Sequence, residues 1–195
     1  MKSLQNLEEY QVLLASASPR RKELLGLLGF EFEIAKTLDV DESYPESLPA
    51  IEVAPYLSKL KAEAYRVLID ANQLIITADT IVINNGQVLG KPATKEEAIN
   101  ILSLLSGHTH EVITGVTVTS VEKQITFSVC TQVEFAELTY DEICEYVEVF
   151  NPMDKAGAYG IQEWIGCIGV KGINGSFYNV MGLPLHKLYS ELKKF

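Results

Sequence analysis

The sequence predicts a mixed α/β fold, a sheet with flanking helices, and three observations carry that expectation. The chain opens as strand, tight turn and helix: an apolar run at 12–15, a small polar turn, then a leucine stripe. Its middle, over 112–120 and 124–135, alternates with a period near two, the pattern of two long antiparallel strands. Neither G-x-G-x-x-G nor G-x-x-x-x-G-K-[ST] follows the first strand, which argues against a dinucleotide-binding Rossmann sheet and a P-loop.

The elements follow in order. After the strand at 12–15, Ser18 and Pro19 form an N-cap and N1 pair, and Leu24, Leu25, Leu27 and Leu28 give a helix stopped by Gly29. A second strand is expected at 30–34. The acidic stretch 39–49, with two prolines, reads as a loop. Helical periodicity over 52–69 places Leu57, Leu60, Ala64, Val67 and Leu68 on one side, with Pro55 near the start. A central strand at 74–77 ends in Ala78-Asp79-Thr80. Residues 81–83 and 87–89 flank Asn84-Asn85-Gly86, a strong hairpin signal. Thr94 with Glu97 predicts a capping box for a helix running to Gly107, and Thr139 caps another over 140–150. Residues 151–175 read as glycine-rich and irregular. A last helix is expected over 185–193, after Gly182-Leu183-Pro184.

Composition bounds the function. The 195 residues are 47% hydrophobic and 22% charged, which argues against disorder. Sixteen Lys plus Arg against 26 Asp plus Glu give a net charge of -10. That excludes broad binding of duplex DNA or anionic membranes, both of which need surplus cations. Only three residues are arginine, and two of them, Arg20 and Arg21, are adjacent. The polar stretch 1–10 shows no signal peptide, and no apolar run nears the roughly 20 residues that span a bilayer. A cytoplasmic protein is expected. Cys130, Cys144 and Cys167 have no metal spacing and read as free thiols, inert through packing; His108 and His110 lack a third ligand and read as surface or cap histidines.

Five constellations could carry chemistry. Ser16-x-Ser18-Pro19-Arg20-Arg21 puts hydroxyls, free N–H groups and two guanidiniums at a helix start, which suits phosphate; a solvated Arg pair beside an ordinary cap is the alternative. Asp79 beyond an apolar strand could hold Mg²⁺ or orient water, or simply cap a turn. The hairpin returns Lys91, in Gly90-Lys91-Pro92, toward Asp79, unless it is an ordinary edge lysine. Asp39, Asp41 and Glu42 could add a metal carboxylate or form a solvated run. The segment Asp154-Lys155-Ala156-Gly157-Ala158-Tyr159-Gly160-Ile161-Gln162 lets a ligand approach the backbone, and a Gln amide can pair with a base edge; a plain loop is the alternative.

Together these segments resemble the Maf family of nucleotide pyrophosphatases, within the inosine-triphosphatase-like group. The matching pieces are Ser16 to Leu25, Ala78-Asp79-Thr80, Leu89-Gly90-Lys91-Pro92, Leu105 to Val112, Asp154 to Gln162 and Gly182-Leu183-Pro184. The resemblance implies a strongly twisted mixed sheet with flanking helices, one domain over 1–195 with two lobes around a central cleft. Within the family the chain is most similar to the dTTP/UTP pyrophosphatase branch, through Arg20, Thr80 and Gln162 at the positions that choose the base. The implied reaction hydrolyses dTTP or UTP, with CTP and modified pyrimidine nucleotides as further candidates, to monophosphate and pyrophosphate with Mg²⁺ or Mn²⁺. It implies a house-cleaning role. Asp79 matches the proton acceptor and, with Glu42, would hold the metal. Ser16, Arg21, Lys61, Lys91 and Lys155 match the remaining charged and polar set. A homodimer is implied as well.

Two departures stand out. Thr77 occupies a position that is Gly in many members, and Glu163-Trp164-Ile165 follows Gln162 where Gly is frequent. The expected mechanism is in-line attack of water on the α-phosphorus, prepared by Asp79, with Arg21, Lys61 and Lys91 neutralising the triphosphate. Rival readings are a 7-methyl-GTP pyrophosphatase of the same fold and a nucleotide- or nucleic-acid-binding regulator of cell division.

Overall fold

The structure is a computed structural model that describes residues 2–195, with side chains from Leu4 onward. Seven strands form one mixed sheet: β1 (Gln11–Ala15), β2 (Glu33–Ile34), β3 (Gln73–Asn84), β4 (Gln87–Leu89), β5 (Thr109–Thr119), β6 (Gln124–Phe135) and β7 (Val170–Asn174). Their order is β2-β1-β3-β5-β6-β7, with β4 paired to β3. β1 runs parallel to β2 and to β3, with Leu13 opposite Ile75, while β6 and β7 are antiparallel. Residues 120–123 join β5 to β6, too short a link for a parallel crossover. The helices are α1 (Pro19–Gly26), α2 (Ala50–Arg66), α3 (Lys95–Leu105), α4 (Tyr140–Phe150), α5 (Trp164–Gly169), α6 (Phe177–Met181) and α7 (Leu185–Leu192).

The chain divides into two compact units. The first comprises residues up to 79 together with 114–129 and 182–195. Its core includes Leu14, Leu25, Leu74, Ile76, Val116 and Leu192, all fully enclosed. A 3-10 segment, Lys2–Glu9, adds buried Leu4 and Leu7, and the Asn6 amide donates to the Leu192 carbonyl at 2.8 Å. Met1 lies outside the described residues.

Helix α2 is held unusually close to the sheet. A Cβ built on Gly115 of β5 would stand 2.3 Å from the Pro55 nitrogen and 2.4 Å from the Ala54 carbonyl, so only glycine fits. One turn further along, the Ser58 hydroxyl meets the Thr117 hydroxyl at 3.0 Å. The Thr77 hydroxyl donates to the Ser58 carbonyl at 2.7 Å. The bulkier residue at 77 is thus absorbed as a buried hydrogen bond between β3 and α2.

The second unit comprises residues 80–113 and 130–181. Its core joins Val82, Leu102, Leu105, Phe135, Ile143, Tyr146 and Ile165. Thr94 accepts from the Glu97 N–H, while the Glu97 carboxylate reaches the Ala93 N–H, so the reciprocal bond of the expected capping box goes one residue earlier. Thr139 and Glu142 form a complete box.

Five expectations are corrected. The strand expected to end before Asp79 runs on to Asn84, because β-branched residues continue on both sides of Asp79 and the whole run is buried. Asp79 therefore sits inside β3 rather than at its carboxyl end. α2 starts at Ala50 and stops at Arg66, leaving Val67 and Leu68 exposed; its buried face is Val53, Ala54, Leu57, Ser58 and Ala62. The stretch 151–175 holds a 3-10 turn, α5 and β7. Cys130 and Cys167 are exposed rather than packed, and partial burial with nearby Glu111 pushes the Cys130 thiol up, away from reactivity.

His110 is the fifth correction: it is buried, not at the surface. Its Nε2 and the Tyr159 hydroxyl share a hydrogen bond of 2.7 Å, and its ring meets Phe135 and Tyr159 edge-on. Burial lowers its pKa to about 4, so it is neutral at physiological pH. His108 is exposed and bonds the Ser106 carbonyl.

Candidate active site

In the first unit, β1, α1, α2, β3 and the loop that bears Glu42 bring Ser16, Arg21, Glu42, Lys61 and Asp79 together. Ser58 and Lys61, three apart, share a face of α2, and Thr77 and Asp79, two apart, share a face of β3. The Ser58–Thr77 contact registers the helix, and the next rung places the Lys61 ammonium 2.6 Å from Asp79 Oδ1. The same ammonium lies 3.0 Å from Glu42 Oε2. Asp79 and Lys61 are largely enclosed, while the Glu42 side chain is half exposed. The neighbouring Asp41 bonds the Ser43 N–H in a local turn.

Arg21 lies close to this trio. Its Nε donates to the Gly182 carbonyl at 2.9 Å and its Nη1 to the Ala78 carbonyl at 2.8 Å, with Ser16 Oγ at 3.4 Å. Three segments far apart in sequence are therefore held by one guanidinium. Desolvation lowers its pKa, Asp79 opposes the fall, and Arg20 adds to it. Ser18 occupies the N-cap position of α1 without a side-chain cap; its N–H turns back to Ser16 Oγ at 3.3 Å. Ser16 Oγ thus collects donors from both the turn and Arg21. Arg20 is half-buried in the first turn of α1. The arrangement sets two carboxylates against one ammonium beside the Arg21 guanidinium, groups that can neutralise a phosphate chain and activate a water beside it.

The remaining expected residues belong to the second unit. Thr80 is half-buried in β3, and Lys91 is exposed just past β4. The Gly90 carbonyl accepts the Gly157 N–H at 3.1 Å, tying the Lys91 segment to the loop that bears Lys155 and Gln162. Lys155 is buried, 2.8 Å from Asp154 and 3.2 Å from Glu163. Gln162 is exposed. Glu163, a departure from the family pattern, belongs to this cluster as well. In the structure its carboxylate also takes a short hydrogen bond from the Tyr146 hydroxyl, which itself accepts the Gly160 N–H at 3.0 Å. Burial, ahead of this bond, pushes the Tyr146 hydroxyl well above its ordinary pKa. The signal in the sequence was an acid where a backbone-only residue suffices.

The seven-stranded mixed sheet with its flanking helices makes this a mixed α/β protein. A solved structure of a HAM1 protein from Coxiella burnetii matches with a TM-score of 0.52 at 17% identity, covering 95% of this chain and 100% of that one. The chain belongs to the Maf family: the model described as "Maf-like protein" matches residues 11–195. It is 55% identical over 191 residues to a protein named dTTP/UTP pyrophosphatase from Bacteroides thetaiotaomicron, covering 98% of this chain and 99% of that one. Proteins of the same name from Parabacteroides distasonis and Porphyromonas gingivalis are 53% and 50% identical over 98% of this chain, covering 100% and 98% of their own lengths.

Proposed function

We propose that this chain is a nucleoside triphosphate pyrophosphatase that hydrolyses dTTP and UTP to the monophosphate and pyrophosphate. The observation that carries the reading is the Lys61 ammonium shared by Asp79 and Glu42 beside Arg21, in a chain whose near-full-length relatives bear that name. Asp79 orients the attacking water and takes its proton. Lys61, Arg21, Lys91 and Lys155 offset charge on the triphosphate, and Ser16 with the N–H groups at the start of α1 fixes the phosphates. Arg20, Thr80 and Gln162 recognise the base.

A divalent ion fits the donor set. No group of three His, Cys, Asp or Glu is gathered among the described residues. Mg²⁺ needs fewer: one or two carboxylates, with phosphate oxygens and waters completing the shell. Asp79 and Glu42 would hold it, and bound Mg²⁺ or Mn²⁺ would supply charge neutralisation at the phosphates. The proposal extends to one functional domain over the whole chain, a homodimer and a house-cleaning role in the cytoplasm. No helix among the described residues is long and apolar enough to cross a membrane.

The test is pyrophosphate release from dTTP, UTP, CTP and 7-methyl-GTP, with and without EDTA. Release from dTTP and UTP that EDTA abolishes is expected. Preference for 7-methyl-GTP, or no release alongside tight RNA or DNA binding, would transfer the assignment to the corresponding rival.

A further inference from the structure

The segment 35–49, between β2 and α2, holds no helix or strand, and residues 41–47 are all exposed. A structureless connection of that length inside a folded unit is uncommon without a function. Its ends are fixed: the Ala35 N–H donates to the Leu14 carbonyl at 3.0 Å, and Pro49 stands at the N-cap position of α2. Glu42 lies midway. Asp41 bonds the Ser43 N–H and the Pro45 carbonyl accepts the Leu48 N–H, both inside the segment. Among the described residues, the hydrogen bonds and ion pairs that tie 36–48 to the rest of the unit fall at two points of α2, Lys61 and Tyr65.

These two residues are four apart, so they stand one turn apart on one face of α2, about 6 Å along its axis. The Tyr65 hydroxyl donates to the Lys36 carbonyl at 2.9 Å and accepts the Leu38 N–H at 3.2 Å. Both peptide groups that flank Thr37 are thereby pinned to the helix. Four residues lead from Leu38 to Glu42, a reach of at most about 14 Å. Without Tyr65 the fixed point on that side is Ala35, and the reach to Glu42 grows to about 25 Å. The volume open to the carboxylate scales as the cube of the reach, so the clamp raises its local concentration beside Lys61 about fivefold. The ion pair does not achieve this by itself. The Glu42 side chain is 48% exposed, and a pair that open to water contributes little against the entropy of a free loop.

We propose that Tyr65 is a positioning residue that docks the 36–48 segment on α2 and so keeps Glu42 on the ammonium it shares with Asp79. This rests on the pyrophosphatase reading above, in which Lys61, Asp79 and Glu42 act together. Tyr65 need not touch the nucleotide.

Two measurements test it, and the first needs no substrate. Tyr65→Phe keeps the ring of a half-buried residue, which preserves the fold, and removes both hydrogen bonds. Trypsin cuts after Lys36 at one of the pinned peptide groups. In Tyr65→Phe that cut, located by mass spectrometry, should run about tenfold faster than in the wild type, because losing two hydrogen bonds raises the open population. The second measurement is kcat/KM for UTP in the wild type, Tyr65→Phe, Glu42→Gln and the double variant. Tyr65→Phe should lose about fivefold and Glu42→Gln more, while the double variant should lose no more than Glu42→Gln alone. A merely structural role would subtract the same factor in both backgrounds. With an active wild type, unchanged cleavage at Lys36, an equal loss in both backgrounds, or full activity of either single variant overturns the proposal alone. A wild type that releases no pyrophosphate from any nucleotide overturns the pyrophosphatase reading, and this proposal with it, whatever the cleavage rates.

Discussion

Acidification should destabilise this protein through one buried imidazole. His110 is 1% exposed, enclosed by Phe135 and Tyr159, and its pKa falls from 6.5 to about 4 because burial disfavours the cation. In the unfolded chain the ring takes up a proton below its ordinary value; in the folded protein it does not until near the lowered value. The unfolded state therefore binds more protons across that window, and stability falls as pH drops from about 6.5 toward about 4. At about pH 5 the unfolded ring is almost wholly charged and the folded one almost wholly neutral, a loss of about 2 kcal/mol relative to neutral pH. Other carboxylates titrate too, so the measurement is a difference. Urea unfolding of the wild type and of His110→Gln is followed at about pH 7.5 and about pH 5. The glutamine retains a polar partner for the Tyr159 hydroxyl but has no proton to gain. The variant should start less stable and lose about 2 kcal/mol less on acidification. Parallel pH dependences in the two proteins would refute the reasoning, since the imidazole would then contribute nothing to the linkage.

Other outcomes follow from the same geometry. Gly115→Ala forces a Cβ into the Ala54–Pro55 backbone, so it should cost about 3 kcal/mol in urea unfolding and lower kcat by shifting Lys61 against Asp79. Arg21→Lys cannot reproduce the fork to the Gly182 and Ala78 carbonyls, so stability should fall by about 2–4 kcal/mol and kcat/KM for UTP with it. Hydrolysis of UTP in ¹⁸O-water should place the label in UMP; label in pyrophosphate instead would move the attack to the β-phosphorus.

Local signals read well where the chemistry is local. The strand at 11–15, the leucine helix behind Pro19, the Asn85-Gly86 turn and the Thr139 box follow from side-chain period and capping residues within a few positions. The charged pairings depended on other information. That Lys61 sits between Glu42 and Asp79 depends on α2 lying close to β3, which Gly115 permits from a strand some fifty residues downstream of the helix. β3 runs longer than its sequence predicts because Asp79 reads as a strand terminator, whereas a buried ion pair lets the strand continue through it. The burial of His110 is not legible locally, because its aromatic enclosure comes from β6 and the 154–162 loop, remote in sequence. Glu163 reads as a departure from the family pattern, and its partners Tyr146 and Lys155 only meet in three dimensions.

The account stands most directly on turnover of UTP by Asp79→Asn beside the wild type, with Mg²⁺ present and pyrophosphate measured. Asparagine preserves the shape at the Lys61 contact but cannot take a proton from water. The account predicts a folded variant whose kcat is lower by about 10²–10⁴. An Asp79→Asn protein that hydrolyses UTP at close to the wild-type rate would contradict it.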